Sequence, residues 1–268
     1  PKSVGKDSRI HSTFNVEGAA TGRLSSTNPN LQSIPIRGDL GGEMRKVFVA
    51  AKGKVILGAD YSQIELRIMA HLSGDVALKK AFKEGVDIHI MTAAKIFNVP
   101  VDKVTKEQRT VGKTMNFATL YGQGPHALSR QLRVEYEVAR QYIDEYFLGF
   151  PKVKEWMQKT LEFGYKNGYV ETISGRKRYI PELQAGNRML KAAGERQAIN
   201  HPIQGTQADM IKKAMVDIDL SLRGSAKQSC CMVLQVHDEL LFECTPRSIR
   251  EVGKMVKEKM ENALKLSV

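Results

Sequence analysis

Apolar residues follow two different periods along this chain. Val55–Ala59 is a short continuous apolar run, and Ser229–Val236 and Leu240–Cys244 are two more. Runs of this length bounded by polar residues predict strands. Lys46–Ala50 reads as a further strand, turning through Ala51-Lys52-Gly53 into Val55–Ala59. Between these runs the apolar spacing is helical over Gln63–Leu72, Val76–Phe82 and Ile88–Phe97, the last ended by Asn98 and Pro100. It stays helical over Lys106–Tyr121, Ser129–Leu132, Glu135–Phe147 and Val153–Tyr165. Tyr169–Glu182 predicts a hairpin turning at Ser174-Gly175. Asn187–Asn200 and Thr206–Leu222 predict two helices separated at His201-Pro202, since proline lacks the amide that a helix interior needs. Ile249–Leu264 predicts a closing helix. The first 40 residues, rich in Ser, Thr, Asn, Gly and Pro, read as loop with short extended pieces. Strands that bracket a helical block predict an α+β fold, a sheet interrupted by a helical insertion.

Length and composition narrow the class. The 268 residues are 42% hydrophobic and 26% charged, which excludes a disordered or collagen-like chain. No run of 18 apolar residues is present, and the first residues lack the apolar stretch of a signal peptide. The net charge is +12, which favours a polyanionic partner. Residues 1–100 hold 14 basic and 9 acidic side chains, residues 101–200 hold 17 and 11, and the remainder 10 and 9. Contacts to a polyanion are therefore expected in the first 200 residues. Cys230, Cys231 and Cys244 have no CxxC spacing, so they read as buried free thiols in a reducing compartment. Neither GxGxxG nor GxxxxGK[ST] occurs, which disfavours dinucleotide and P-loop chemistry. No GxSxG elbow or HExxH pair is present either.

Two patterns carry candidate chemistry. Asp60 ends the run Val55–Ala59, and Asp238 and Glu239 sit at the tip between the last two strands. Acids at strand ends are ordinary turn residues, or they hold a divalent cation, which offsets the cost of burying negative charge. Arg109, Lys113, Phe117 and Tyr121 recur every four residues along one helix face. Such a stripe is either an amphipathic helix or two cations for phosphates followed by two rings for a base. His71 and His89 read as satisfied, partly buried residues; His237 beside Asp238 could touch a terminus or a phosphate. Arg176-Lys177-Arg178 is a solvated turn or a backbone-phosphate contact.

Taken together these segments resemble the family A DNA polymerases (the DNA polymerase I family). DYSQIELR at Asp60–Arg67 is similar to the family's first palm motif, RTVGKTMNFATLYG at Arg109–Gly122 to its fingers-helix motif, and QVHDE at Gln235–Glu239 to its third motif. Thr21–Pro35 and Ile199–Asp209 resemble further family segments, so the likeness runs in order over nearly the whole chain.

The resemblance implies a right-hand polymerase fold, an antiparallel palm sheet with a large helical fingers insertion. Its domains would be palm over residues 1–92, fingers over 93–189 and palm again over 190–268. It implies template-directed DNA synthesis on a primer 3′-hydroxyl with two Mg2+ ions carried by Asp60 and Asp238, and Glu239 supporting them. Arg109 and Lys113 would hold the triphosphate, Phe117 would pack on sugar and base, and Tyr121 would stack at the template position. Glu65 would crowd the 2′ position, and Gln63 and His89 would line the nucleotide pocket. Arg23, Asn30, Gln32, Arg196, Gln204 and His237 would contact primer or template. The implied partners are primer–template DNA and deoxynucleoside triphosphates, bound by a monomer in the bacterial cytoplasm or its phage or organellar equivalent, with no membrane.

Ala118 stands where family members usually carry Gly, and Thr110 where a second cation often follows the first Arg. The resemblance also implies that thumb, exonuclease-like domain and the final palm strand are missing from this stretch, and that no proofreading is expected of it.

Overall fold

A computed structural model describes residues 3–35, 39–224 and 230–268. In chain order it contains β1 (Thr13–Asn15), β2 (Ser25–Thr27), α1 (Asp39–Lys46), β3 (Val55–Asp60), α2 (Ile64–Ser73), α3 (Val76–Lys83), α4 (Ile88–Phe97) and α5 (Lys106–Leu120). There follow α6 (Pro125–Leu132), α7 (Tyr136–Gly149), α8 (Pro151–Asn167), β4 (Tyr169–Glu171), β5 (Lys177–Tyr179), α9 (Arg188–Gly224), β6 (Cys230–Val236), β7 (Glu239–Cys244) and α10 (Ile249–Asn262). The α+β expectation holds: antiparallel strands bracket a helical block. Among the described residues no helix is long and apolar enough to cross a membrane. The chain divides into two compact units, residues 1–62 with 207–265, and residues 63–206 with 266–268.

The first unit is built on a three-stranded antiparallel sheet in the order β3-β7-β6. Strand alternation sorts β7, burying Leu240, Phe242 and Cys244 on one face. Against that face pack Ile211, Ala214, Ile218 and Leu222 of α9 and Val252, Val256 and Met260 of α10, at three- and four-residue spacings. In β3 the same alternation turns Ile56, Gly58 and Asp60 outward. Glu243 is a buried carboxylate on β7, held by Arg9 at 3.1 Å from both terminal guanidinium nitrogens and by the Ala51 N–H at 3.0 Å.

Three expectations are corrected. Lys46 ends a helix, and no strand forms over Lys46–Ala50. Val47 and Val49 are 74% and 76% exposed, because β3 takes β7, nearly 200 residues away, as its partner instead of the preceding segment. The cysteines are not all free: Cys230 and Cys244 are joined by a disulfide, and only Cys231 is an unbonded thiol. Antiparallel register sets these two residues directly opposite each other, a pairing invisible in their sequence spacing. Thirdly, the two helices predicted around His201-Pro202 are one, α9, with Pro202 inside it. Buried side chains on either side, Ala198, Ile199, Ile203 and Thr206, hold the helix continuous past the missing amide. Ser229, the expected start of β6, lies outside the described residues.

The second unit is mostly helical, and its helix boundaries follow their caps. Asp75 caps α3 by accepting from the Ala77 and Leu78 amides, and Asp87 caps α4 by accepting from those of His89 and Ile90. Thr105 and Gln108 form a reciprocal capping box on α5. Asn98 ends α4 in the left-handed conformation. Helices α4 and α5 cross at Gly112, where an added Cβ would lie 2.3 Å from the His89 carbonyl oxygen and 2.9 Å from the Ala93 nitrogen. No larger residue permits that approach. The β4–β5 hairpin turns at Gly175, whose φ of +81° suits the expected turn.

Candidate active site

The carboxylates come together by backbone register. Asp60, the last residue of β3, pairs with Glu239, the first of β7, and the Tyr61 N–H donates to the Asp238 carbonyl at 3.2 Å. His237, just before Asp238, takes a left-handed φ of +53°, which makes the β6–β7 turn tight. Gly58 leaves room for the Glu239 carboxylate, since a Cβ there would lie 3.1 Å from Oε1. Partial burial, then repulsion from Asp238 and from Glu239, raises the Asp60 pKa to about 6. Among the described residues no three His, Cys, Asp or Glu side chains converge as a ready-made metal cage. A pair of carboxylates leaving open positions for phosphate and water is the donor set magnesium prefers.

A small pocket of about 30 Å3 adjoins this turn. Arg23, Gln32, Gln207, Lys212, Gln235 and His237 are among its lining residues. Three of the residues expected to touch DNA, Arg23, Gln32 and His237, therefore share one surface. Gln32 Nε2 donates to the buried Gln235 Oε1 at 2.8 Å, and Gln235 Nε2 donates to the His237 carbonyl at 2.6 Å. Asn30 serves locally, its Oδ1 accepting from the Gln32 amide at 3.0 Å. Arg23 donates to Gln207. Gln207 and Gln235 were not singled out from sequence; the signal available was their place inside motif-like segments.

In the second unit the stripe on α5 is supported residue by residue. Arg109 donates from Nε and Nη2 to Oδ2 of Asp87 at 2.9 and 2.8 Å. Burial raises the Asp87 pKa, but the bonds from Arg109 and from the Ile90 and His89 amides outweigh it and hold the carboxyl below its usual value. Lys113 is exposed, while Phe117 and Tyr121 are half-buried. His89 is 4% exposed, and burial first of all lowers its pKa. The Asn116 amide is hydrogen-bonded to His89 Nδ1 at 3.1 Å. The lowered pKa favours a neutral imidazole, whose ring lies 6.1 Å from that of Phe117. The Tyr121 hydroxyl donates to Oε2 of Glu65, a buried carboxylate on the first turn of α2, at 3.1 Å. Gln63 is exposed at the N-cap of α2 with a φ of +53°. Arg196 packs at Gly122, where a Cβ would lie 3.3 Å from its Cγ, and Gln204 is half-buried on α9. Sequence reasoning did not single out Asp87; its cue was an acidic residue just ahead of an apolar helix.

The model of "DNA polymerase family A" matches residues 1–268. The chain belongs to this family. A thermostable DNA polymerase I from Thermus caldophilus is 50% identical over 260 residues, 97% of this chain and 31% of that protein. DNA polymerase I from Mycobacterium bovis is 48% identical over 268 residues, 100% of this chain and 30% of its own length. A solved structure, the POL domain of Pol1 from M. smegmatis in complex with DNA primer-template and dNTP, superposes with a TM-score of 0.96 at 45% identity. It is covered over 47% of its length and covers all of this chain. The chain thus spans about a third of the length of the curated family A relatives it matches.

Proposed function

We propose that this chain carries the nucleotidyl-transfer site of a DNA-directed DNA polymerase, which adds deoxynucleotides to a primer 3′-hydroxyl and releases pyrophosphate. The observation that supports this reading most is the register of Asp60 with Glu239, one residue from Asp238, in a chain whose family is that of DNA polymerases. Asp60 and Asp238 would hold two magnesium ions, with Glu239 as their electrostatic support. Bound there, the ions supply charge neutralisation and acidify the attacking hydroxyl.

The side chains do the positioning. Arg109, clamped on Asp87, and the exposed Lys113, one helical turn further on, offer two cations to the triphosphate. Phe117 offers its ring to the base. Glu65 is kept in place by the Tyr121 hydroxyl, so its carboxylate excludes a ribose 2′-hydroxyl. His89, neutral and bonded to Asn116, brings no third positive charge. Arg23, Asn30, Gln32, Arg196, Gln204 and His237 would meet primer and template, and Gln63 the nucleotide. The strand-bearing first unit would act as palm and the helical second unit as fingers; the units divide after residues 62 and 206, where the sequence-based boundaries fell after 92 and 189. On this reading the chain works in a cytoplasmic or equivalent DNA-containing compartment.

Primer extension with magnesium tests the proposal. Asp60→Ala and Asp238→Ala should each lower the single-turnover rate by about a thousandfold or more, the scale of several kcal/mol of lost charge stabilisation. Extension that survives either change would overturn it.

A further inference from the structure

The β4–β5 hairpin carries a surface that the proposed nucleotidyl-transfer site does not use. Its inner side is fixed. Val170 is buried with Ile180, Leu183 and Ala198, and Arg178 donates from Nη2 to Gln197 Oε1 at 2.8 Å. Strand alternation then sends Tyr169, Glu171, Lys177 and Tyr179 to the other side. Tyr169 and Tyr179 are directly opposed, with ring centroids 5.6 Å apart. Phe163 of α8 meets Tyr169 edge-on at 5.6 Å, and the Lys177 ammonium lies 4.6 Å from the Tyr169 centroid. Tyr179 is 71% exposed and Phe163 39%. Single exposed rings are unremarkable on a protein surface. Three contiguous rings on an anchored hairpin, beside exposed Arg176 and Lys177, form a surface of a different kind. Glu171, across the strand pair from Lys177, leaves the tip with a positive excess.

We propose that this hairpin is a stacking platform for single-stranded DNA: an unpaired base lies on Tyr179 while Arg176 and Lys177 meet the flanking phosphates. Cation and aromatic complementarity selects that occupant, because each base has a π-face and each linkage a negative charge. A duplex hides its base faces and would gain only the phosphate contacts. The inference rests on the nucleic-acid reading of the chain but not on its catalytic assignment.

The test is fluorescence anisotropy of a labelled oligothymidylate with the whole chain. Tyr179→Thr, which keeps a strand-favouring residue, should weaken binding by roughly five- to a hundredfold, and Tyr179→Phe should restore it. Lys177→Gln should reduce the slope of log affinity against log salt by about 0.7. Wild-type affinity in Tyr179→Thr would overturn the proposal. Should that variant lose its fold by circular dichroism, photo-cross-linking of a 5-bromodeoxyuridine strand to the wild-type chain decides. Adducts on Tyr169 or Tyr179 support the platform, and adducts confined to other residues overturn it. Primer extension measured in parallel separates the two readings, since its failure would leave the oligothymidylate result standing.

Discussion

The end of the β3-β7-β6 sheet and the α4–α5 pair hold their charged side chains in opposite ways. At the sheet end the placement is done by main chain: strand register sets Asp60 against Glu239 and a tight turn presents Asp238. The three carboxylates repel, and Asp60 responds with a pKa near 6. On α5 the placement is done by side chains. Arg109 is already compensated by Asp87, His89 by Asn116, and Glu65 by Tyr121. In one region like charges crowd together; in the other most charged groups are paired as the chain folds. Folding therefore works against the first and favours the second.

The largest expected effect that sharpens this contrast is at Lys113. Lys113→Ala should cut kcat/KM for the incoming nucleotide by roughly a hundred- to a thousandfold, the cost of removing one preorganised charge, while duplex affinity stays nearly constant. Steady-state kinetics alongside a duplex-binding titration would show it, and equal losses of both would remove Lys113 from the triphosphate site.

Next comes the crossing of α4 and α5. Gly112→Ala should destabilise the protein by about 1–3 kcal/mol, seen as a lowered denaturant midpoint, because the new methyl meets backbone on the facing helix. An unchanged midpoint would mean that the two helices are not in fact that close.

A smaller effect separates the regions by pH. The folded-state pKa of Asp60 is raised from 3.8 to about 6, so the folded protein keeps a proton that the unfolded chain has lost. Stability from this group is full below about pH 4 and is lost as pH rises through about 6. In the metal-free protein, Asp60→Asn should remove that decline and raise the melting temperature at pH 7 by a few degrees, about 2–4 °C for each kcal/mol relieved. Added Mg2+ should stabilise the wild type above pH 6 and leave Asp60→Asn unmoved. A wild type whose melting temperature is flat from pH 4 to 7 would contradict the crowded acid cluster.

The smallest expected effect is at Asp87. Asn caps a helix as well as Asp does, so Asp87→Asn keeps α4 and removes only the charge that clamps Arg109. Nucleotide KM should rise by up to about fivefold, the scale of a partly exposed ion pair, with the melting temperature nearly constant. A loss as deep as that of Lys113→Ala would mean that the clamp, rather than the free cation, dominates.

Much of both regions was legible before any coordinates. Short apolar runs located β3 and the β6–β7 turn, and helical periods located α2 to α5, to within a few residues, since both patterns arise from burial. Asp60, Asp238 and Glu239 and the four-residue stripe of α5 stood out for the same reason: each sits at a marked place on a locally predictable element. What escaped the sequence reading depends on partners far along the chain. Lys46–Ala50 looked like a strand, yet β3 paired with β7. Cys230 and Cys244 looked like separate thiols until register set them face to face. Pro202 looked like a helix end, but the packing of its neighbours kept α9 whole.

Sequence alone determined the periods, the caps, the family motifs and the residue types able to carry charge, because these depend on neighbours within a few positions. Tertiary structure alone decided which carboxylates crowd one another, which acid clamps Arg109, and that His89 is neutral. Desolvation and charge–charge contact exist only once residues as distant as positions 60 and 239, or 87 and 109, have been brought side by side.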